Sequence, residues 1–515
     1  MNKITLLFNT VKFLKPIQIY SRIFYFVRKK VRVFYNFNYP LEKKSNSVKL
    51  NLKPTILSYR SYYGDYKFNF LNLSKNFGNE IDWNFSNNGK LWTYNLNYFD
   101  FLNQENQEEE YEYLDIIEDF ISKQKEITIG FEPSPIALRG VNWIKYMTFN
   151  NIKSQKIDNS LYAQYYRLYD NLEYHLLGNH LLENGFSLLF GAYYFQDELL
   201  YKKAKKILIV ELEEQILGDG GHFELSVMYH QIMLFRLLDT INLVKSNSWK
   251  NQELQFFLIR KAESMLGWLE QMTYQNGEIP LLNDSTYGIA PTSRELFDYA
   301  KRLKIKTEIL SLKESGYRKI IKDKYECVID IGNIGASYIP GHAHADTFNF
   351  ELYKYAKPFI VDTGLSTYET NKRRIIERST LSHNTVEINS KNQSEVWAGF
   401  RVGKRANIIS IEERENSIEA THNGYRDDDI KHHRLWIFEE NRVIIEDRLN
   451  RKSNAIASLH FHPDVTKREI LNHIEIDNEN WSFSEYEYAS QFNKLEKAIC
   501  IYIPFSIKLR ITIKI

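Results

Sequence analysis

The spacing of apolar residues changes once along the chain, near residue 320. Before that point apolar positions recur every three or four residues over segments of helical length, with short breaks between them. Short connections favour antiparallel neighbours, but this spacing alone does not distinguish a toroid from a solenoid or a bundle. The pattern predicts helices at 108–123, 135–149, 159–177, 179–195, 198–217, 228–245 and 252–274.

Beyond about residue 324, apolar and polar residues alternate over short runs, as in Ile474 to Asp477. Runs of strands without helices between them predict an antiparallel sandwich. We therefore expect a basic N-terminal arm over 1–60, a helical domain over 61–320 and a β-sandwich over 321–515. Other strand-like runs cover 327–331, 348–355, 359–362, 385–388, 435–438, 443–445, 498–503 and 506–515.

Composition narrows the function classes only slightly. A chain of 515 residues is too long for one core and favours two or three domains. The aromatic fraction of 15% suits a carbohydrate partner, because aromatic rings pack on sugar faces, although we expect most of these rings in the core. The net charge of +2 gives no reason to expect nucleic acid. Two cysteines exclude a disulfide framework and a cysteine-based zinc site.

The N-terminal arm is basic, because residues 1–39 contain eight Lys or Arg and no Asp or Glu. These cations interrupt every apolar run, so the segment resembles neither a secretion signal nor a spanning helix, and we expect a cytoplasmic protein. An amphipathic helix is expected here, either packed on the next domain, which we favour, or in contact with an anionic membrane surface. Its apolar positions recur at helical spacing at Ile17, Tyr20, Ile23, Phe24 and Val27.

The first chemically dense stretch is Gly178-Asn179-His180-Leu181-Leu182-Glu183-Asn184, where a predicted helix begins. His180 and Glu183 are three residues apart and therefore share one helix face. Asn179 alone is compatible with an ordinary helix cap. Together these polar groups indicate a functional cluster, with a spacing that differs from the HExxH zinc pattern.

A second segment, Gly221-His222-Phe223-Glu224-Leu225-Ser226-Val227-Met228-Tyr229-His230, joins a glycine-rich turn to a helix. Tyr229 starts that helix, a position from which a phenol can reach a cleft. A tyrosine there is more often a packing residue. The neighbouring His222, Glu224 and His230 make a chemical role worth testing.

The third segment is Gly341-His342-Ala343-His344-Ala345-Asp346, at the junction of a loop and a strand. In extended backbone His342 and His344 point to the same side, so they can converge on one substrate or ion. Asp362 and His383 follow at predicted strand ends. Two imidazoles and one carboxylate are an ordinary zinc ligand set, and its members need not be close in sequence.

In combination and order, these segments resemble the signature segments of heparinase II/III and oligoalginate lyases. Val361-Asp362-Thr363-Gly364 and Ser382-His383-Asn384-Thr385 continue the resemblance, which covers roughly residues 85 to 465. It implies an (α/α) toroid followed by an antiparallel β-sandwich, with the active site between them. It also implies β-elimination at a uronic acid of an acidic polysaccharide.

The resemblance assigns catalytic roles residue by residue. Asn179 and His180 would contact the substrate carboxylate, whose charge must be neutralised as the C5 proton leaves. Tyr229 would be the general acid towards the departing O4, and a candidate base as well. His342 would be the other candidate base, since its pKa is suited to proton abstraction near neutrality.

The resemblance also implies substrate and metal contacts. Glu183 corresponds to a residue beside the catalytic histidine, and Arg139 would contact a substrate carboxylate. His344, Asp362 and His383 would hold one zinc ion with a structural role, because no open coordination position is needed.

Two alternatives remain open at this point. A glycoside hydrolase on a helical toroid would use a carboxylate pair such as Glu183 and Glu224. A non-catalytic carbohydrate-binding protein of polysaccharide biosynthesis would keep the fold without the chemistry. Such a protein would have no need for Asn179, His180, Tyr229 and His342 together.

Overall fold

The computed structural model describes residues 3–105 and 110–515. Apart from a two-stranded sheet at residues 67–76, the helical half precedes the half made of strands, as the sequence predicts. The described helices are α1 (Lys3–Val11), α2 (Pro16–Phe34), α3 (Lys90–Tyr98), α4 (Glu110–Ser122), α5 (Pro133–Phe149), α6 (Gln155–Asp170), α7 (Gly178–Phe195), α8 (Glu198–Gln215), α9 (Val227–Ser246), α10 (Glu253–Met272), α11 (Ser293–Arg302), α12 (Lys372–Glu377) and α13 (Lys467–His473). The described strands are β1 (Lys67–Phe70), β2 (Leu73–Asn76), β3 (Tyr317–Lys322), β4 (Tyr325–Asp330), β5 (Phe350–Lys354), β6 (Lys357–Ile360), β7 (Val386–Ile388), β8 (Val396–Trp397), β9 (Arg401–Val402), β10 (Ile408–Arg414), β11 (Ser417–Tyr425), β12 (Ile430–Glu439), β13 (Arg442–Leu449), β14 (Ala455–His460), β15 (Ile474–Ile476), β16 (Ser482–Gln491), β17 (Lys494–Phe505) and β18 (Lys508–Lys514). Residues 108 and 109 of the helix predicted at 108–123 lie outside the described residues.

One helix ends earlier than its apolar pattern predicts. The helix expected over 159–177 stops at Asp170, and residues 171–177 form a loop. Asn171 ends it, because the Asn171 side-chain amide donates to the Arg167 carbonyl and to the Tyr39 hydroxyl, both at 2.7 Å. The loop carries Glu173 to the candidate site described below.

Aromatic side chains fill much of the interior of the helical domain. Trp83 stacks on Phe99 with ring centroids 5.1 Å apart, and Phe120 meets Trp83 edge-on at 5.0 Å. Gly191 on α7 lets that helix approach Tyr165 closely, since a Cβ there would lie 2.7 Å from the tyrosine ring. The high aromatic content is therefore used largely in packing.

The second half of the chain forms antiparallel sheets around a core of its own. A six-stranded sheet has the order β10-β11-β12-β13-β18-β15, and two four-stranded sheets have the orders β16-β17-β14-β7 and β3-β4-β5-β6. On β12 the buried Trp436 and Phe438 alternate with half-buried residues, as expected for a strand with one face on the core. The short helices α12 and α13 interrupt the strands, which the sequence pattern did not predict.

The N-terminal arm contacts both domains. On α2 the Gln18 side chain donates to the Leu176 carbonyl, and the Tyr25 hydroxyl donates to the Leu172 carbonyl. On α1 the Thr10 hydroxyl accepts from Trp397 of the sandwich at 3.1 Å. No helix in the described part of the chain is long and apolar enough to cross a bilayer.

Candidate active site

The start of α7 presents Asn179 and His180 at the junction of the two domains. Leu177 and Gly178 precede them with φ angles of 63° and 59°, which turn the chain sharply into the helix. Asn179 lies inside the first turn, so the helix-cap interpretation of this residue is wrong. Its backbone amide donates to Glu224 Oε1 at 3.2 Å.

His180 is held by a buried carboxylate that the sequence analysis missed. Its Nδ1 lies 3.3 Å from Glu173 Oε1 and 3.3 Å from the Ser134 hydroxyl. Asn184, one turn further along α7, donates to Glu173 Oε2 at 2.9 Å and fixes the carboxylate. Burial lowers the pKa of His180, but Glu173 and the more distant Glu224 outweigh that effect, so the pKa lies above its usual value.

Tyr229 lies in the first turn of α9, where the Ser226 side chain caps the helix. Its ring packs on the His342 imidazole with centroids 3.9 Å apart. The Tyr368 hydroxyl donates to the Tyr229 hydroxyl at 3.2 Å. Burial, with a smaller contribution from the Asp284 charge, raises the pKa of Tyr229, so the phenol is protonated at neutral pH.

Asp284 connects the functional groups of both domains. Its Oδ2 lies 2.8 Å from His342 Nδ1, and its Oδ1 lies 2.8 Å from His344 Nε2. The Arg374 guanidinium binds the same carboxylate through both terminal nitrogens, with Nη2 to Oδ2 at 2.7 Å. Burial raises the pKa of Asp284, but Arg374 and the two imidazoles reverse this and hold it well below its usual range.

The charge of Asp284 determines which nitrogen of His342 carries a proton. An ionised carboxylate only accepts, so Nδ1 must donate to it, and Nε2 is the nitrogen left for other contacts. That Nε2 faces the buried Glu224, 3.6 Å from Oε2, an oxygen without a hydrogen-bond partner in the described part of the chain. Asn179 and His342 both contact Glu224, Tyr229 packs on His342 and His180 follows Asn179 on α7, so the structure brings these residues together at the domain boundary.

The residues expected to hold zinc are His344, Asp362 and His383, and Asp284 links His344 to His342. The rings of His344 and His383 have centroids 5.2 Å apart. His383 Nδ1 is bound to Asp362 Oδ2 at 2.7 Å. The remaining nitrogens, His344 Nδ1 and His383 Nε2, are buried and have no hydrogen-bond partner among the described residues. Buried nitrogens without partners suit a metal ion.

The carboxylates of this cluster fit a metal less completely. Asp362 Oδ1 accepts from the Gly364 amide at 2.9 Å and Oδ2 from Asn349 at 2.5 Å, so both oxygens have partners. Nearby Asp346 contributes a buried Oδ2 without one. Within the described residues, no three His, Cys, Asp or Glu side chains stand in a metal-binding arrangement. The donor types fit zinc, and zinc binding stays a prediction.

Arg139 does not belong to the site. The side chain is fully buried in α5, where Nε donates to Gln164 at 2.8 Å, Nη1 to the Asn97 carbonyl at 2.9 Å and Nη2 to the Gly130 carbonyl at 3.0 Å. A substrate carboxylate cannot reach a guanidinium that is fully used inside the helical domain. The expected substrate contact of Arg139 is therefore corrected to a structural role.

Glu183 lies one turn after His180 on α7, as expected, but it is paired. Arg236 of α9 donates to its Oε1 at 3.2 Å. Glu224, the second member of the hydrolase pair considered above, is engaged by Asn179 and faces His342. This arrangement uses both carboxylates to hold other site residues and does not favour a hydrolase.

Sequence comparison matches two family models to the chain. The model described as heparinase II/III N-terminus matches residues 54–304, and the model described as heparinase II/III-like, C-terminal, matches residues 304–500. A heparin-sulfate lyase of Bacteroides stercoris is 23% identical over 329 residues, which are 58% of this chain and 47% of that protein. A heparin-sulfate lyase of Bacteroides thetaiotaomicron is 22% identical over 296 residues, or 49% and 41%. The matches thus span less than half the length of either relative.

Solved structures agree on the architecture. The crystal structure of heparinase III superposes with a TM-score of 0.65 at 15% identity, covering 99% of this chain and 93% of that one. A heparan sulfate lyase from Pedobacter heparinus gives a TM-score of 0.56 at 16% identity, covering 87% and 81%. At these identities the likeness establishes the fold, a helical toroid followed by a β-sandwich.

Proposed function

Because this chain belongs to the heparinase II/III-like family, we propose that it is a polysaccharide lyase that cleaves a uronic-acid-containing acidic polysaccharide by β-elimination. One observation carries the proposal. Tyr229 and His342 meet ring to ring at 3.9 Å, across the boundary between toroid and sandwich. A β-elimination needs a proton acceptor and a proton donor close to the same sugar, and this ring contact places the two groups side by side.

Charge neutralisation at the uronate is the first requirement. The carboxylate of the sugar must be stabilised while C5 loses its proton, since negative charge moves onto it in the transition state. The Asn179 amide and the His180 imidazole, whose pKa is raised, would bind that carboxylate. Glu173 favours the charged form of His180, and Glu183 on the same helix face is paired with Arg236.

Proton transfer completes the reaction. His342 Nε2 would take the C5 proton, the C5–H electron pair would form the C4–C5 double bond, and the C4–O4 bond would break. The Tyr229 hydroxyl would protonate the departing O4, helped by the hydrogen bond that it accepts from Tyr368. The products are a chain with a new reducing end, whose anomeric hydroxyl contains the former O4, and a chain that begins with a 4,5-unsaturated uronate.

The names of the related proteins support a substrate class. Two proteins named heparin-sulfate lyases match the chain, which supports a glycosaminoglycan or a similar uronate polymer as the partner. His344, Asp362 and His383 would hold a zinc ion that orders the sandwich loops carrying His342. We assign no nucleic-acid partner to the protein.

A screen of acidic polysaccharides tests the proposal. The purified protein should raise the ultraviolet absorbance of at least one uronate polymer, because the new double bond is conjugated with the carboxylate. A neutral glucan should give no signal. New reducing ends without a rise in absorbance would indicate hydrolysis and contradict the proposal.

A further inference from the structure

The N-terminal arm exposes an unusual amount of apolar surface. Large apolar side chains of a folded protein are normally exposed singly, and contiguous patches mark interaction sites. On α2, Tyr20 is 64% exposed, Phe26 62% and Phe34 79%. The exposed large apolar residues of α1, α2 and the turn after α2 include Leu7, Phe8, Val11, Ile17, Ile19, Tyr20, Ile23, Phe24, Phe26, Val27, Val31, Val33, Phe34, Tyr35 and Phe37.

The orientation of α2 is inverted relative to an ordinary surface helix. Such a helix buries its apolar stripe and exposes its polar one. On α2 the buried residues are Gln18 and Ser21, and the same side directs Arg28 towards Asp170 of the toroid. The stripe predicted at Ile17 to Val27 faces away from the protein instead. Polar contacts hold the helix in place, while its apolar side has no covering element among the described residues.

The positive charge of the arm indicates which kind of partner would cover the apolar side of α2. Residues 1–39 hold eight Lys or Arg and no acid. Lys12, Lys29 and Lys30 are exposed and form no ion pair with any residue that the structure describes. Long cationic side chains beside an apolar stripe can extend to lipid phosphates while the stripe enters the acyl boundary. A second copy of the chain would place the same cations against each other.

We propose that the apolar side of α2, together with α1, inserts into the interface of an anionic lipid membrane. The 19-residue helix would lie in the membrane plane, about 28 Å long. Its polar side stays on the loop that carries Glu173, the partner of His180, so docking would hold the candidate active site at a constant distance from the lipid. The inference does not depend on the proposed lyase activity.

Vesicle binding of the full chain tests the proposal. The protein should co-sediment with vesicles of phosphatidylcholine containing phosphatidylglycerol, and less with pure phosphatidylcholine. The triple variant Phe24→Ser, Val27→Ser, Val31→Ser should bind at least about tenfold more weakly, because it removes three large apolar groups from the inserted stripe. The variant Lys29→Glu, Lys30→Glu should lose the preference for anionic lipid.

A matched control makes the same chemical change elsewhere. Ile409→Ser, Ile411→Ser on β10 and Leu471→Ser on α13 remove exposed apolar groups and should bind vesicles like the natural protein. Equal vesicle binding by the triple variant, or no binding by the natural protein, overturns the proposal. A dimer in solution that the triple variant converts to a monomer, without vesicle binding, would show that the side covers a second copy instead.

Discussion

The Tyr229 hydroxyl group offers the most direct test of the proposed reaction. The variant Tyr229→Phe keeps the ring that packs on His342 and removes only the hydroxyl that we propose protonates O4. We expect kcat to fall at least about a hundredfold, the usual range for a lost general acid, with substrate binding and melting temperature nearly unchanged. Kinetics on the polymer found by the absorbance screen provide the measurement.

Tyr355→Phe is the matched control for this substitution, because Tyr355 is an exposed residue at the β5–β6 turn. It should retain full activity. If Tyr229→Phe turned over substrate at a near-normal rate, Tyr229 would have no place in the mechanism.

The pair His180–Glu173 predicts a pH dependence. Since Glu173 raises the pKa of His180, the imidazolium persists to a higher pH than an isolated histidine, and activity should fall as the pH rises through that pKa. In Glu173→Gln the opposing charge is gone and burial lowers the pKa, so the decline in kcat/KM should move to lower pH. A pH profile that is identical in the natural protein and the variant would contradict the role of His180 as a cation.

At the scale of elements, the segment after α10 connects both domains through one carboxylate. Asp284 meets His342 from a sandwich loop and Arg374 from α12, and all three side chains are largely buried. Asp284→Asn keeps the shape but leaves the Arg374 charge unpaired. We expect about 3–5 kcal/mol of lost stability together with lost turnover.

A double variant separates the two effects of this substitution. Adding Arg374→Met removes the unpaired charge and should restore part of the stability, while turnover stays low because His342 still lacks the negative charge of its partner. Chemical denaturation and kinetics of the natural protein and the two variants give the comparison. A stable and fully active Asp284→Asn protein would exclude the proposed orienting role.

The loops of the sandwich predict a response to metal. If His344, Asp362 and His383 hold zinc, protein purified without added metal or chelator should contain about one zinc per chain, and a chelator should lower the melting temperature. His383→Ala should abolish both effects. Sub-stoichiometric zinc with no stabilisation on adding it back would leave these residues as ordinary polar groups of a buried network.

At the scale of the whole molecule, buried neutral histidines couple stability to acid. Burial lowers the pKa of His230 to about 4, and it lowers that of His422 well below its usual value. The unfolded chain binds these protons near pH 6.5, so stability is complete above that pH and is lost as the pH falls towards 4.

The loss should be about 1.4 kcal/mol per pH unit for each such histidine. Urea titrations between pH 7.5 and 4.5 measure it, and His230→Gln should make the slope shallower in the same interval. An unchanged slope in this variant would show that His230 does not contribute to acid sensitivity.

The order of the elements follows from the sequence because its causes are local. Helical periodicity before residue 320 and alternation after it each depend on neighbouring residues, and the structure confirms helices first and strands second. The segments around Asn179, Tyr229 and His342, which the resemblance implied to form a site, also meet in the structure, and their catalytic roles stay predictions. Helix 159–177 was predicted too long, because the side-chain contacts of Asn171 that end it involve Tyr39, far away in sequence.

Only the tertiary structure decided which side chains meet. Glu173 reaches His180, Asp284 joins His342 to Arg374, and Arg139 is withdrawn into the helical core through contacts between distant segments. The apolar stripe of α2 was visible in the sequence, whereas its outward direction was not. A pattern along one segment reports the faces of that segment, but which face is buried depends on the free energy of packing against surfaces that other segments form.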